Sequence, residues 1–212
     1  MKRPWDFIFS PFYDQYYKQL EKSVVGHGET LLDVGCGAES PVRLFSDKIK
    51  RTVGVDADEI SIEQSRRLGI HGEYHRMNML DIGQRFQPKS FDIVLLSDVI
   101  EHLKKEEGQR LLEMAESIAR KRVIIFTPNG FLEQRPRDHN IYQTHLSGWH
   151  PHEMRSRGYR IQGINGLRFL RSEYAEIAWK PEFFWGKVSL LSQCIATPFP
   201  ALAFQILCVK DV

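Results

Sequence analysis

Short apolar runs alternate with helix-like spacings through the first two-thirds of the chain. Thr30–Val34, Thr52–Val55, Glu73–Met77, Phe91–Leu96 and Val123–Phe126 read as strands, because their residues favour a pleated, buried surface. The apolar stretch of Phe91–Leu96 implies burial on both faces, as in a parallel sheet covered by helices. Between these runs lie predicted helices at Pro11–Val24 and Pro41–Ile49, another from an Asp58 cap to Leu68 and one at Lys105–Ala119. Gly69 stops the third, and Leu111, Leu112, Ala115 and Ile118 give the fourth one apolar face. Strands separated by helices predict a parallel sheet with right-handed crossovers.

The pattern changes after Thr127-Pro-Asn-Gly130. Phe131–Ser147 reads as a long polar loop, followed by a helix at Pro151–Arg157 and a strand at Tyr159–Gly163. Arg171–Cys194 reads as helical and aromatic, and Ala201–Val209 as a last strand. One domain is expected over residues 1–212: a helical cap (1–28), a ligand-binding core (29–165), an aromatic cap segment (166–200) and the last strand (201–212).

A formal net charge of +2 argues against general electrostatic attraction to nucleic acid. Charge is nonetheless uneven. Seven arginines fall between Arg135 and Arg171, where Asp138 and Glu153 are the only acids. This stretch reads as a solvated face, or else as a rim attracting an anionic acceptor. His139, His150 and His152 are expected on a solvated loop. Cys36, Cys194 and Cys208 have neither paired nor metal-ligand spacing, which suits reduced thiols in a cytoplasmic protein. Pro4 and Asp6 interrupt any signal-like run, and polar residues break Phe183–Val209 short of a membrane span.

The densest chemical signal is Asp33-Val-Gly-Cys-Gly37 at the end of the first strand. Glycines let the backbone turn tightly and let a ligand come close. Open α/β sheets bind nucleotides at such strand-to-helix turns. Asp33 disfavours a pyrophosphate and suits a nucleoside carrying positive charge. Asp56 ends the second strand, where its carboxylate can accept from both ribose hydroxyls, with Ala57 beside it. Asn78 can bond an adenine edge and Met79 can pack on its face.

With these motifs the chain resembles the class I S-adenosylmethionine-dependent methyltransferases, especially the broad group acting on small molecules, over about Thr30–Gly163. The resemblance implies a Rossmann-like, doubly wound α/β sheet of seven strands, the last antiparallel, with a small helical and aromatic cap. It implies S-adenosyl-L-methionine as cofactor. Asp33, Gly35, Cys36 and Gly37 would surround the methionine moiety, Asp56 the ribose, and Asn78 and Met79 the adenine. Ser97 and Asp98 would line the methionine end. The family often has an acid where Asn78 stands and a third glycine where Glu39 stands.

Acceptor chemistry falls to Asp98-Val-Ile-Glu101-His102. His102, with an unperturbed pKa of ~6.5, is the candidate base and Glu101 its companion; the alternative is that both begin the next helix. No resident metal is expected in this main reading. Asp98, Glu101, His102 and His145 also resemble the metal-binding set of small-RNA 3′-terminal 2′-O-methyltransferases, with Asp98 where glutamate is usual. The expected partner is a small-molecule acceptor methylated at oxygen, with aromatic walls from Trp5–Tyr17 and Trp179–Trp185. Tyr13 or Tyr17 is expected to close over the cofactor. A non-catalytic nucleotide-binding module on the same fold is the further alternative.

Overall fold

The computed structural model describes residues 6–134 and 143–212, with side chains from Gln15 onward within them. The strands are β1 (Thr30–Val34), β2 (Arg51–Asp56), β3 (Glu73–Arg76), β4 (Phe91–Ser97), β5 (Ala119–Pro128), β6 (Arg160–Leu167) and β7 (Ala203–Asp211). They form one sheet in the order β3-β2-β1-β4-β5-β7-β6. Six strands run parallel, and β7 lies antiparallel between β5 and β6. The expected seven-stranded sheet with an antiparallel last strand is therefore present.

Alternation along the central strands divides the core in two. Leu32, Val34, Val94, Leu96, Val123 and Ile125 face one layer, packed by α4 (Lys105–Ile118) and α5 (Pro151–Ser156). Leu31, Ile93, Leu95, Ile124 and Phe126 face the other, covered by α1 (Asp6–Val24) through Tyr16, Leu20 and Val24. This two-sided burial is why the strands read as apolar runs. On the outer strands, α2 (Glu59–Arg67) starts on an Asp58 cap that accepts from the Ile60 and Ser61 N–H groups.

Three segments differ from expectation. Pro41–Ile49 is two 3₁₀ turns, Pro41–Leu44 and Ser46–Lys48, because Phe45 leaves the helical region at φ −149°. Within Arg171–Cys194 the helix α6 (Glu182–Leu191) begins only after Pro181, since Tyr174 and Ala175 take positive φ. The strand read as Tyr159–Gly163 extends to Leu167 through a bulge, where Asn165 (φ 65°) and Gly166 (φ 73°) carry the left-handed backbone. Short helices α3 (Ile82–Arg85) and α7 (Gln193–Ala196) complete the layers.

Candidate active site

The strand order reverses between β1 and β4, and ligands of open α/β sheets sit at the carboxyl ends of strands there. Gly35 and Gly37 leave β1 with φ of 72° and 56°. The Gly35 and Cys36 N–H groups bond Val55 O at 2.8 and 3.0 Å, which fixes the turn against β2. A Cβ on Gly35 would stand 2.6 Å from Val99 Cγ2, whereas one on Gly37 would meet nothing within 4 Å. Gly35 is thus required by packing, and Gly37 faces open space.

Asp56 closes β2 with both carboxylate oxygens engaged: Gly37 N–H donates to Oδ2 at 2.8 Å and Asp58 N–H to Oδ1 at 2.9 Å. Each oxygen keeps a lone pair for a ribose hydroxyl. Ala57 follows, half-buried. Asn78 stands exposed after β3; its Oδ1 accepts from Leu80 N–H at 2.9 Å, leaving its NH₂ unspent in that cap. Met79 is half-buried against the core.

Asp33 and Cys36 turn inward. The Asp33 carboxylate accepts from Ser40 Oγ at 2.5 Å and lies 3.0 Å from His71 Nε2, all within the protein. It braces the glycine turn from beneath and does not line the cavity. Burial, with the Asp33 and Asp56 charges adding to it, pushes the Cys36 thiol far above its usual range. The thiol is a buried packing group.

Beyond β4 the chain passes Ser97 and Asp98 into a 3₁₀ turn, Ile100–His102, separate from α4. These residues border a cavity of about 390 Å³ that also takes walls from Tyr16, Tyr17, Glu39 and His145. Ser97 Oγ and Tyr16 OH share a 2.6 Å hydrogen bond, and Tyr16 stacks on Phe126 at 3.9 Å. Tyr17 therefore reaches the cavity, while Trp5, His139 and the Tyr13 side chain lie outside the described residues.

Asp98 adopts φ 52°, strained for a side-chain-bearing residue, with its N–H bonded to Phe126 O at 2.8 Å. Asp98 is an exposed residue whose carboxylate opens to the cavity, where the surrounding walls reduce its hydration. That desolvation pushes its pKa up to about 7, against the lowering effect of a Gln205 hydrogen bond. Gln205 Nε2 donates to Asp98 Oδ1 at 3.3 Å, and its Oε1 accepts from Asn165 Nδ2 at 2.6 Å. An amide relay thus aims Asp98.

Glu101 is buried; its Oε2 accepts from Thr127 Oγ1 at 2.9 Å, and its Oε1 has no hydrogen-bond partner. Desolvation first, and the Asp98 charge second, hold its carboxyl well above the usual range. His102 Nδ1 lies 3.2 Å from Thr144 O, and His145 Nδ1 lies 2.7 Å from Leu132 O. Donation from both Nδ1 atoms leaves both Nε2 atoms as acceptors. Burial pushes His102 down to about 4, despite the Thr144 bond, and lowers His145 too. The near-neutral pKa expected for His102 is therefore corrected: it is a neutral imidazole and a weak lone base.

Glu101, His102 and His145 each offer one ligand atom, all within 4.8 Å of one another. An orphaned carboxylate oxygen beside two neutral imidazoles is the donor set of a divalent cation. A cation there would bring the raised carboxyl pKa values of Glu101 and Asp98 down and hold both imidazoles neutral. Sequence distance hid how His145 arrives. Leu146 and Ser147 N–H groups bond Glu101 O at 2.7 and 3.1 Å, and Trp149 Nε1 donates to Ile100 O at 3.2 Å. The segment is thereby stitched beneath the turn.

Arg171, one of the arginines read as a rim, lines the cavity, and so do Asn165, Tyr174, Phe204 and Gln205, which were not read from the sequence. The Asn165-Gly166 pair inside a strand was the available signal, since such pairs mark bulges. His150 and His152 are exposed as expected and stack at 5.5 Å, but they do not lie on a loop: His152 is in α5 and His150 is its N-cap.

This fold and this turn define a Rossmann-like protein that binds S-adenosylmethionine. Residues 32–127 match a family model described as a methyltransferase domain. No curated protein matches the chain by sequence. A SAM-dependent methyltransferase from Archaeoglobus fulgidus superposes with a TM-score of 0.61 at 18% identity, over 99% of this chain and 100% of that one. The methyltransferase domain of a bacterial Hen1 gives 0.58 at 17%, over 97% and 100%. The N-methyltransferase NodS from Bradyrhizobium japonicum gives 0.58 at 11%, over 95% and 96%. The methyltransferase-domain match over residues 32–127 and the shared fold together support a class I S-adenosylmethionine-dependent methyltransferase. It is an enzyme of that class with S-adenosyl-L-methionine as cofactor.

Proposed function

We propose that the chain methylates a hydroxyl oxygen of a small organic acceptor. Glu101, His102 and His145, with Asp98 beside them, would hold a divalent cation, which would supply Lewis acidity to that hydroxyl. The observation carrying this is the buried cluster whose ligand atoms lie within 4.8 Å, with Glu101 Oε1 unpartnered. In this reading Gly35, the Cys36 backbone and Gly37 cradle the methionine end, with Asp33 bracing them. Asp56 and Ala57 take the ribose, Asn78 and Met79 the adenine, and Ser97 with Tyr16 closes the cavity around the methyl.

The cofactor supplies an electrophilic methyl on a sulfonium, so positioning an acceptor in line supplies much of the rate. A divalent cation supplies Lewis acidity that lowers the pKa of a hydroxyl. Asp98, aimed at the cavity by Gln205, takes the hydroxyl proton. Carbon–sulfur cleavage and carbon–oxygen bond formation then leave a neutral thioether. The role of His102 accordingly moves from base to ligand.

Isothermal titration of Mn²⁺ into protein saturated with S-adenosylhomocysteine should give one site, lost in Glu101→Ala and in His102→Ala. Methyl transfer to 4-ethylcatechol should stop in excess chelator. Heatless titration, or transfer indifferent to chelator, contradicts the metal. A second reading, 2′-O-methylation at an RNA 3′ end, draws on the same cluster, since a terminal ribose presents vicinal hydroxyls. It predicts methylation of an oligonucleotide ending in a 2′,3′-diol and none of one ending in 2′-deoxyribose.

A further inference from the structure

A second hollow of about 610 Å³ lies against the candidate active site and is lined mainly by apolar side chains, among them Phe169, Ile195 and Leu202. Leu132, Arg171 and Phe204 line both this groove and the active-site cavity. Both openings therefore lie at one edge of the sheet, where β7 begins. The groove continues into an unusual surface. Phe169 is 64% exposed, Trp179 51%, Phe184 50%, Phe199 61% and Leu202 51%. Trp179 Nε1 donates to Phe169 O at 2.9 Å, and Trp179, Trp185 and Phe184 rings stand 6.0 and 5.3 Å apart in succession. Monomers seldom expose contiguous apolar surface on this scale without a use for it.

We propose that the groove binds the apolar tail of the methyl acceptor, so that the substrate class is an amphiphile with a hydroxylated head and a hydrocarbon tail. The inference rests on the hydroxyl-methylation reading. The head lies in the cavity beside Glu101 and Asp98. The tail crosses the Leu132–Arg171 rim and lies along Phe169, Ile195 and Leu202. A shared wall with the catalytic cavity argues for this occupant over a protein partner, which would need no such continuity. Hydrocarbon there exchanges water for apolar side chains and strengthens binding roughly fourfold per fully buried methylene.

The test titrates 4-ethyl-, 4-hexyl- and 4-dodecylcatechol, below micelle formation, into protein carrying S-adenosylhomocysteine and Mn²⁺. Wild type should bind more tightly with each lengthening. Ile195→Asp and Leu202→Asp should flatten that dependence while leaving the ethyl compound and S-adenosylhomocysteine bound as before. Equal affinity along the series in wild type overturns the inference and leaves the head-group reading intact, as does an equal slope in the variants. If Mn²⁺ and S-adenosylhomocysteine bind but no catechol does, the head-group reading fails, and 1-dodecanol then tests the groove alone. Its binding, lost in Leu202→Asp, supports the tail site; no binding overturns it. A dimer in light scattering that either variant dissociates assigns the surface to a second copy and also overturns it.

Discussion

Gly35 and Gly37 bend the same turn, yet a methyl group added to each meets different surroundings. At Gly35 it collides with Val99, so Gly35→Ala should cost about 1–3 kcal/mol, read by urea denaturation. At Gly37 it meets open space and only the left-handed backbone resists it, so Gly37→Ala should cost about 1–2 kcal/mol and bind S-adenosylhomocysteine at least tenfold more weakly. Far from the site, Asp92 shows how a single carboxylate ties strands together. Glu29 N–H donates to its Oδ2 at 2.8 Å and Arg120 Nε to its Oδ1 at 3.0 Å. Burial alone would raise its pKa, but the Glu29 bond and the Arg120 and Lys121 cations outweigh burial and hold it low. A depressed folded pKa gives stability present above the unfolded value of ~3.9 and lost as pH falls through the folded one. Melting curves should therefore fall away below about pH 4 in wild type, and less steeply in Asp92→Asn. An unchanged acid limb in that variant would contradict the assignment.

At the scale of elements, the cluster depends on a segment with almost no regular structure. His145–Trp149 is held to the Ile100–His102 turn by backbone bonds and by Trp149, fully buried beneath Gly108 and Lys105. Trp149→Ala should lower stability by about 3–5 kcal/mol. At a temperature where the variant stays folded, it should still lose Mn²⁺ affinity; retained affinity would show that His145 is placed some other way. This dependence explains what the sequence concealed. Strands buried on two faces announce themselves, which is why β1, β2, β4 and β5 were legible within a few residues. Pro41–Ile49 and Arg171–Glu182 were misread as helix because propensity does not report a single non-helical Phe45 or left-handed Tyr174. Asp98, Glu101 and His102 were visible as a run. Their partners Gln205 and Asn165 were not, because an isolated amide in an apolar strand means nothing until β7 is placed between β5 and β6.

Across the whole molecule, the sheet performs two separate tasks along one edge. The β1 and β2 ends form the turn and acid suited to the nucleoside, and the β4, β5 and β7 ends gather the carboxylates, imidazoles and amides around the cavity. Motif order along the chain made the first task readable, since Asp33 to Asp56 follows consecutive strands. The second needed tertiary structure, because it draws on residues from Tyr16 to Gln205. Among the described residues no helix is long and apolar enough to cross a membrane. Ligand linkage offers a check on the molecule as a whole: S-adenosylhomocysteine at a hundred times its Kd should stabilise the fold by about 2.7 kcal/mol. A thermal shift absent at such concentrations would contradict binding to the native state. The most direct measurement is calorimetric titration of S-adenosylhomocysteine into wild type and Asp56→Ala. The account predicts one site per chain in wild type and affinity weakened about 10–100-fold in the variant, the cost of a charge-assisted hydrogen bond. A folded wild type that takes up no S-adenosylhomocysteine, or a variant that binds it equally well, would contradict it.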